Sequence, residues 1–148
     1  MPDQKYDSGF YNPPTPQELR EIITNPAATE ILVRAAERLG GALAKPLSTS
    51  QIRAIYGEVL RIKADWLSPE GGTSSGEISR KDRARRAFIL LKPKMAYRAK
   101  KEKGQGVKML VDVLDPAVDL VKGDEGNFRR FVEFFEAILA YHKAKGGN

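Results

Sequence analysis

The chain has 148 residues, with 25 Lys and Arg against 19 Asp and Glu, one histidine, no cysteine and a net charge of +6. That length suits one domain around one moderate core, and the lack of cysteine excludes disulfides, thiolate catalysis and thiolate metal sites. No apolar run approaches the roughly 18–20 residues that cross a bilayer. The opening MPDQKYDSGFYNPPTP has neither an apolar h-region nor a cleavage-site pattern, so a cytoplasmic protein without a membrane partner is expected.

Residues 1–14 read as a flexible N-terminal arm, rich in Pro, Gly and polar groups. Its aromatics Tyr6, Phe10 and Tyr11 either dock on the domain or offer stacking surfaces to bases. The helical domain is expected over 15–148. Thr15-Pro16-Gln17-Glu18 is a capping box with proline at the first helical position, opening a short helix through Leu19, Ile22 and Ile23. Asn25-Pro26 restarts the chain, with Asn25 as N-cap of a helix that runs to about Leu39 and stops at Gly40-Gly41. Ser48 and Gln51 form a second capping box. Behind it Ile52, Ile55, Tyr56, Val59, Ile62 and Trp66 share one side, which predicts a core helix. Arg53, Gly57 and Arg61 recur at i, i+4, i+8 on another side. A glycine between two arginines admits either a phosphate backbone or a tightly crossing helix.

Residues 68–76, SPEGGTSSG, read as a loop. From Arg80 to Lys103 follow eleven basic residues and two acids, a net +9, so the rest of the chain sums to −3. Such concentration is the footprint of a protein that meets a polyanion. Ala84, Ala87, Phe88, Leu91 and Met95 form a narrow apolar stripe within it, as a folded helix requires. Pro93 predicts two helices, about 78–91 and 93–102, with Lys92 and Lys94 aimed outward. Val107 to Val121 is apolar, with a break expected at Asp115-Pro116. The last helix, about 127–143, carries Phe128, Phe131, Val132, Phe135, Ile138 and Leu139, widened by Phe134 and Tyr141. That width predicts either a central helix or an edge used for self-association. No segment alternates as a strand does. The expected fold is all-α, a compact single-domain bundle of five or six helices.

Chemistry is sparse. His142 falls on the apolar edge of the last helix and reads as structural. Zinc constellations need more histidine or cysteine than the chain contains. Nucleotide-cradling glycine loops are absent, and Asp112, Asp115 and Asp119 read as a solvated face rather than a metal site. No nucleophile, base and orienter assemble. The expectation is a protein without enzymatic activity, metal or cofactor. Two functions fit. One is backbone binding of RNA without sequence readout, through Arg53, Arg61, Arg80, Arg83, Arg85, Arg86, Lys92, Lys94, Arg98, Lys100 and Lys101. The other is a helical interaction or scaffold protein whose basic face meets an acidic protein partner.

Three segments together carry a family resemblance: Leu47-Ser48-Thr49-Ser50-Gln51-Ile52-Arg53, Leu90-Leu91-Lys92-Pro93-Lys94-Met95-Ala96-Tyr97, and Phe128 to Lys143 followed by Gly146-Gly147. Over roughly residues 47–147 the chain resembles the small subunit of the type III-A CRISPR effector, the Csm complex. The resemblance implies an all-helical, non-catalytic subunit that stacks as the minor filament. It also implies contact with the backbone of target RNA paired to crRNA, or of single-stranded RNA, beside other Csm subunits.

Overall fold

In the computed structural model, which describes residues 11–69 and 79–148, the described chain forms six helices and no strand. Local chemistry sets most of their starts. At α1 (Pro16–Thr24) the Thr15 hydroxyl accepts from the Glu18 N–H at 3.0 Å, and the Glu18 carboxylate accepts from the Thr15 N–H at 3.0 Å. Ser48 and Gln51 repeat the exchange at α3 (Thr49–Trp66), at 3.1 and 3.0 Å. Both predicted capping boxes therefore form, each satisfying two otherwise orphaned N–H groups.

The second helix, α2 (Thr29–Leu43), departs from expectation at both ends. Asn25 is not its N-cap. The Asn25 Oδ1 instead accepts from the Ala27 N–H at 2.9 Å, holding the turn, and the helix begins after Ala28 without a side-chain cap. Nor do Gly40 and Gly41 stop it. Gly40 is buried against the last helix, where a Cβ would lie 2.6 Å from Tyr141 Cβ and 2.8 Å from the His142 nitrogen. This glycine serves close approach rather than chain reversal, a use that sequence position alone does not distinguish.

Two predicted breaks are likewise missing. A single helix, α4 (Arg80–Lys101), passes through Pro93, and α5 (Gly106–Val121) passes through Pro116. An interior proline costs about 3 kcal/mol. Phe88, Leu91 and Met95 are each 1% exposed, and burying such side chains yields roughly 1.5–3 kcal/mol apiece, so packing on both sides of Pro93 outweighs the penalty. Pro93 and Pro116 are themselves exposed, so the carbonyls they leave unpaired lie on the solvent side. The last helix, α6 (Glu125–Ala144), starts two residues before the expected position because Asp124 caps it, accepting from the Asn127 N–H at 2.8 Å.

The central element is α6. It packs on α1, α2, α3 and α5, while α4 lies between α3 and α5. Phe134, with 0% exposure, and half-buried Tyr141 show that its extra width is filled within the chain. Along it runs a ladder of rings. Trp66 stacks on Phe128 at 4.1 Å, Phe88 meets Phe128 and Phe131 edge-on at 5.2 and 5.0 Å, and Tyr56 meets Phe135 at 5.2 Å. Beyond the helix, Gly147 folds back onto the buried His142 ring, whose Nε2 donates to the Leu47 carbonyl at 2.7 Å. The Asn148 carbonyl then accepts from the Thr49 N–H at 2.8 Å. His142 is thus structural, as expected. Tyr11 is half-buried against the core between Arg38 and Asp112, while Tyr6 and Phe10 lie outside the described residues, as does most of the 68–76 loop.

The glycines give a paired test. Gly40→Ala should destabilise by about 1–3 kcal/mol, because its neighbours are the Tyr141 Cβ and backbone atoms of α6, none of which can rotate away. Gly57→Ala should stabilise by about 1 kcal/mol, since nothing lies within 4 Å of the new methyl. Urea denaturation of both variants, followed by circular dichroism, reads the two signs.

Candidate nucleic-acid interface

The basic run lies along α4, which packs antiparallel to α3. At one end of the pair, Arg80 Nη2 meets Asp65 Oδ1 at 3.2 Å and Lys81 Nζ donates to the Trp66 carbonyl at 2.7 Å. At the other end, Gln51 Nε2 donates to Glu102 Oε1 at 3.2 Å. The predicted stripe is the buried seam: Ala84, Phe88, Leu91 and Met95 are each 1% exposed, with Ala87 half-buried. The rest of α4 faces water or its flanking helices.

The cations divide into two groups. Those of the first turns are tied into the fold. Besides Arg80 and Lys81, Arg85 bonds Asp82 at 3.1 Å and the Gly123 carbonyl at 3.3 Å, and lies 5.6 Å over the Trp66 ring. Arg83 is exposed. The second group is looser. Lys94 is 63% exposed with Glu58 at 3.7 Å, and Arg98 has Glu102 at 3.8 Å. Such half-exposed pairs contribute about 0–1 kcal/mol and yield readily to a phosphate. Arg53 on α3, and Arg86, Lys100 and Lys103, are exposed and have no ion pair among the described residues. Arg61 is 74% exposed and reaches Glu58 only at 4.0 Å.

Between Arg53 and Arg61, Gly57 points into open space, so no helix among the described residues crosses there. The glycine leaves a bare patch of backbone between two arginines on the outer surface of α3. A close internal crossing, one of the two readings open from sequence, is not what it serves.

Lys92 is not aimed outward as expected. It reaches sideways to α5, 2.6 Å from Asp119 and 3.5 Å from Asp115. Those aspartates are therefore more than a solvated face, because they hold α4 to α5. Asp112 pairs with Lys108 at 2.9 Å on the same helix. With two carboxylates around one ammonium, this spot offers a phosphate no net attraction, unlike Lys94 or Lys100.

A feature that charge counting missed lies between α3 and α4. A cleft of about 220 Å³ is lined by Ile55, Glu58, Leu91, Lys94, Met95, Tyr97, Arg98, Lys101 and Glu102. Tyr97 stands at its mouth, 64% exposed, with Lys101 Nζ 5.7 Å over the ring. The available signal was an aromatic three residues after one lysine and four before another within a basic helix, which places all three on one face. Glu58 gave no signal from sequence, since only the α3–α4 packing brings it to Lys94.

The hydrogen bond to Asp119 holds the Lys92 ammonium above its ordinary value of 10.5, burial opposing and the two aspartate charges adding to it. Folding favours the protonated form, so this stabilisation is complete below that value and disappears as pH rises past the folded-state titration. Lys92→Met should lose up to about 1 kcal/mol near neutral pH, and the gap to the parent protein should close above about pH 10.5. Denaturation midpoints of both proteins across alkaline pH measure it.

Among the described residues, no helix is long and apolar enough to cross a membrane, and no cluster of His, Cys, Asp and Glu could hold a metal. Comparison with protein families matches residues 27–148 to the model described as Csm2 Type III-A. Neither the curated proteins nor the solved structures yielded a match. The match takes in α2 to α6, and with them the cationic face and the His142-bearing terminus. This chain therefore belongs to the Csm2 family, the small subunit of the type III-A CRISPR effector, the Csm complex.

Proposed function

We propose that the outer face of α3 and α4 binds the sugar–phosphate backbone of RNA without reading its sequence. The RNA is target strand paired to crRNA within the effector, or single-stranded RNA met by the free subunit. The observation that carries the reading is the placement of weakly paired and unpaired cations, Arg53, Arg61, Lys94, Arg98, Lys100 and Lys101, around one helical hairpin. Arg86 and Lys103 extend it along α4. Arg80, Arg83 and Arg85 add to the field at the other end, and Lys92, held by two aspartates, contributes least. Phosphates need positive charge at a roughly regular rise, which a helix supplies at every turn.

In this reading the subunit is not an enzyme. Its one histidine is enclosed and committed to the Leu47 carbonyl, and Asp115, Asp119 and Glu58 each face a lysine. It serves as a cytoplasmic element of the minor filament, binding weakly alone and usefully when several copies act together. Protein contact is a second role with its own support. Ile89 and Leu90 are 52% and 46% exposed on the outer side of α4, and Leu60 is 41% exposed on α3. Exposed aliphatics of this size beside a basic face suit a neighbouring subunit.

Each lost phosphate contact reduces the slope of log affinity against log salt by about 0.7 on single-stranded RNA. Lys94→Ala/Arg98→Ala should therefore lower that slope by about 1.4, whereas Lys92→Ala should leave it nearly unchanged. Fluorescence anisotropy across a salt series decides. Unaltered binding and slope in the double variant would remove the RNA assignment and leave the face to an acidic protein partner.

A further inference from the structure

We propose that the cleft beside Tyr97 receives one unpaired nucleobase of the bound RNA. This rests on the reading of the α3–α4 face as RNA-binding, and adds to it a contact that backbone binding does not require.

The cleft has the parts a base needs. Its floor is apolar, formed by Ile55, Leu91 and Met95, which are each 1% exposed yet line the cavity. Its wall is the Tyr97 ring, a planar surface left 64% open to solvent among the cations of α4. Base–aromatic stacking uses such a ring. Lys101, over that ring at 5.7 Å, and Lys94 at the rim stand where the phosphates flanking a stacked base would pass. The volume, about 220 Å³, lies under the roughly 300–1,000 Å³ of sites for drug-sized ligands, which limits the occupant to a single ring system.

Two carboxylates decide between a base and an apolar side chain from a protein. Glu58 is 3.7 Å from Lys94 Nζ, and Glu102 is 3.8 Å from Arg98 Nη1. Both exceed the roughly 2.7–3.2 Å of an N–H···O hydrogen bond, so these oxygens retain accepting capacity, the other oxygen of Glu102 being taken by Gln51 Nε2 at 3.2 Å. An apolar knob would strip them of water and return nothing. A base with an exocyclic amino group, adenine or cytosine, donates to them, and guanine offers its N2 amino group. Uracil has no amino group, and its one Watson–Crick donor, the N3–H, lies between two carbonyl oxygens that a carboxylate repels. The cleft should therefore prefer amino-bearing bases to uracil.

Oligo(A), oligo(C) and oligo(U) of equal length, titrated with the full chain at several salt concentrations, test this. The expected result is tighter binding of oligo(A) and oligo(C) than of oligo(U). Tyr97→Ala should weaken oligo(A) about tenfold with an unchanged salt slope, and Tyr97→Phe should retain binding. Tyr97 is exposed, so unchanged circular dichroism confirms that the variant folds. Equal affinity of Tyr97→Ala and the parent, with the slope still lowered by Lys94→Ala/Arg98→Ala, overturns the base site and leaves backbone binding standing. Unchanged RNA affinity together with lost co-purification of other Csm subunits assigns the cleft to a protein side chain and also overturns it. Absence of salt-dependent binding by the parent chain removes both readings.

Discussion

The stacking of Trp66 on Phe128 is the contact on which the basic surface depends. It joins the C-terminal end of α3 to the start of α6 at 4.1 Å between ring centroids, and Phe88 of α4 closes edge-on against both rings. Three helices thus meet at one aromatic cluster, whose members are at most 1% exposed. Aromatic pairs of this kind contribute about 0.5–1.5 kcal/mol beyond area burial. More to the point, they fix the angle at which α4 leaves the core. Everything outward of Phe88, from Leu90 to Lys103, takes its position from that anchor.

An α4 of such composition has little reason to be a stable helix by itself. Like charges at i, i+4 repel, and its apolar stripe is a single residue wide at most turns. The fold answers by flanking it with counter-charges on both sides: Asp65 and Glu58 from α3, Asp115 and Asp119 from α5, and Glu125 from α6. The pairs are unequal in a useful way. Arg80–Asp65 near the aromatic cluster and Lys92–Asp119 along α5 are short, at 3.2 and 2.6 Å, whereas Lys94–Glu58 and Arg98–Glu102 on the outer face are long, at 3.7 and 3.8 Å. The helix is held by the first set, and the second leaves its cations available. The exposed prolines fit the same division, since their missing hydrogen bonds fall where water substitutes.

Much of this was legible from residue order. The capping boxes at Thr15 and Ser48 are local exchanges between a side chain and a backbone three residues away, so sequence suffices to see them. The seam of Ala84, Phe88, Leu91 and Met95 follows from periodicity, as does the width of the α6 face, which left a central helix and an interface both open. Apart from Asn25, whose side chain holds its own turn, the main errors share one cause. Gly40, Pro93 and Pro116 were read by their intrinsic preferences, while neighbours distant in sequence overrode them. Tyr141 makes Gly40 a packing residue, and the buried side chains around each proline hold its helix together. Lys92 was misplaced for the same reason, because Asp119 is 27 residues away and no pattern announces it.

Sequence by itself determined the all-helical class and the concentration of positive charge in one stretch. These follow from composition, period and short-range hydrogen bonding, which act over a few residues. Only the tertiary structure decided which cations are free and which are spent, because an ion pair is a distance between helices. It also decided that Gly57 faces open space, and that Glu58 and Glu102 close a cleft around Tyr97. Charge is a property of residues, but a surface able to meet a polyanion is made by what the packing leaves uncovered.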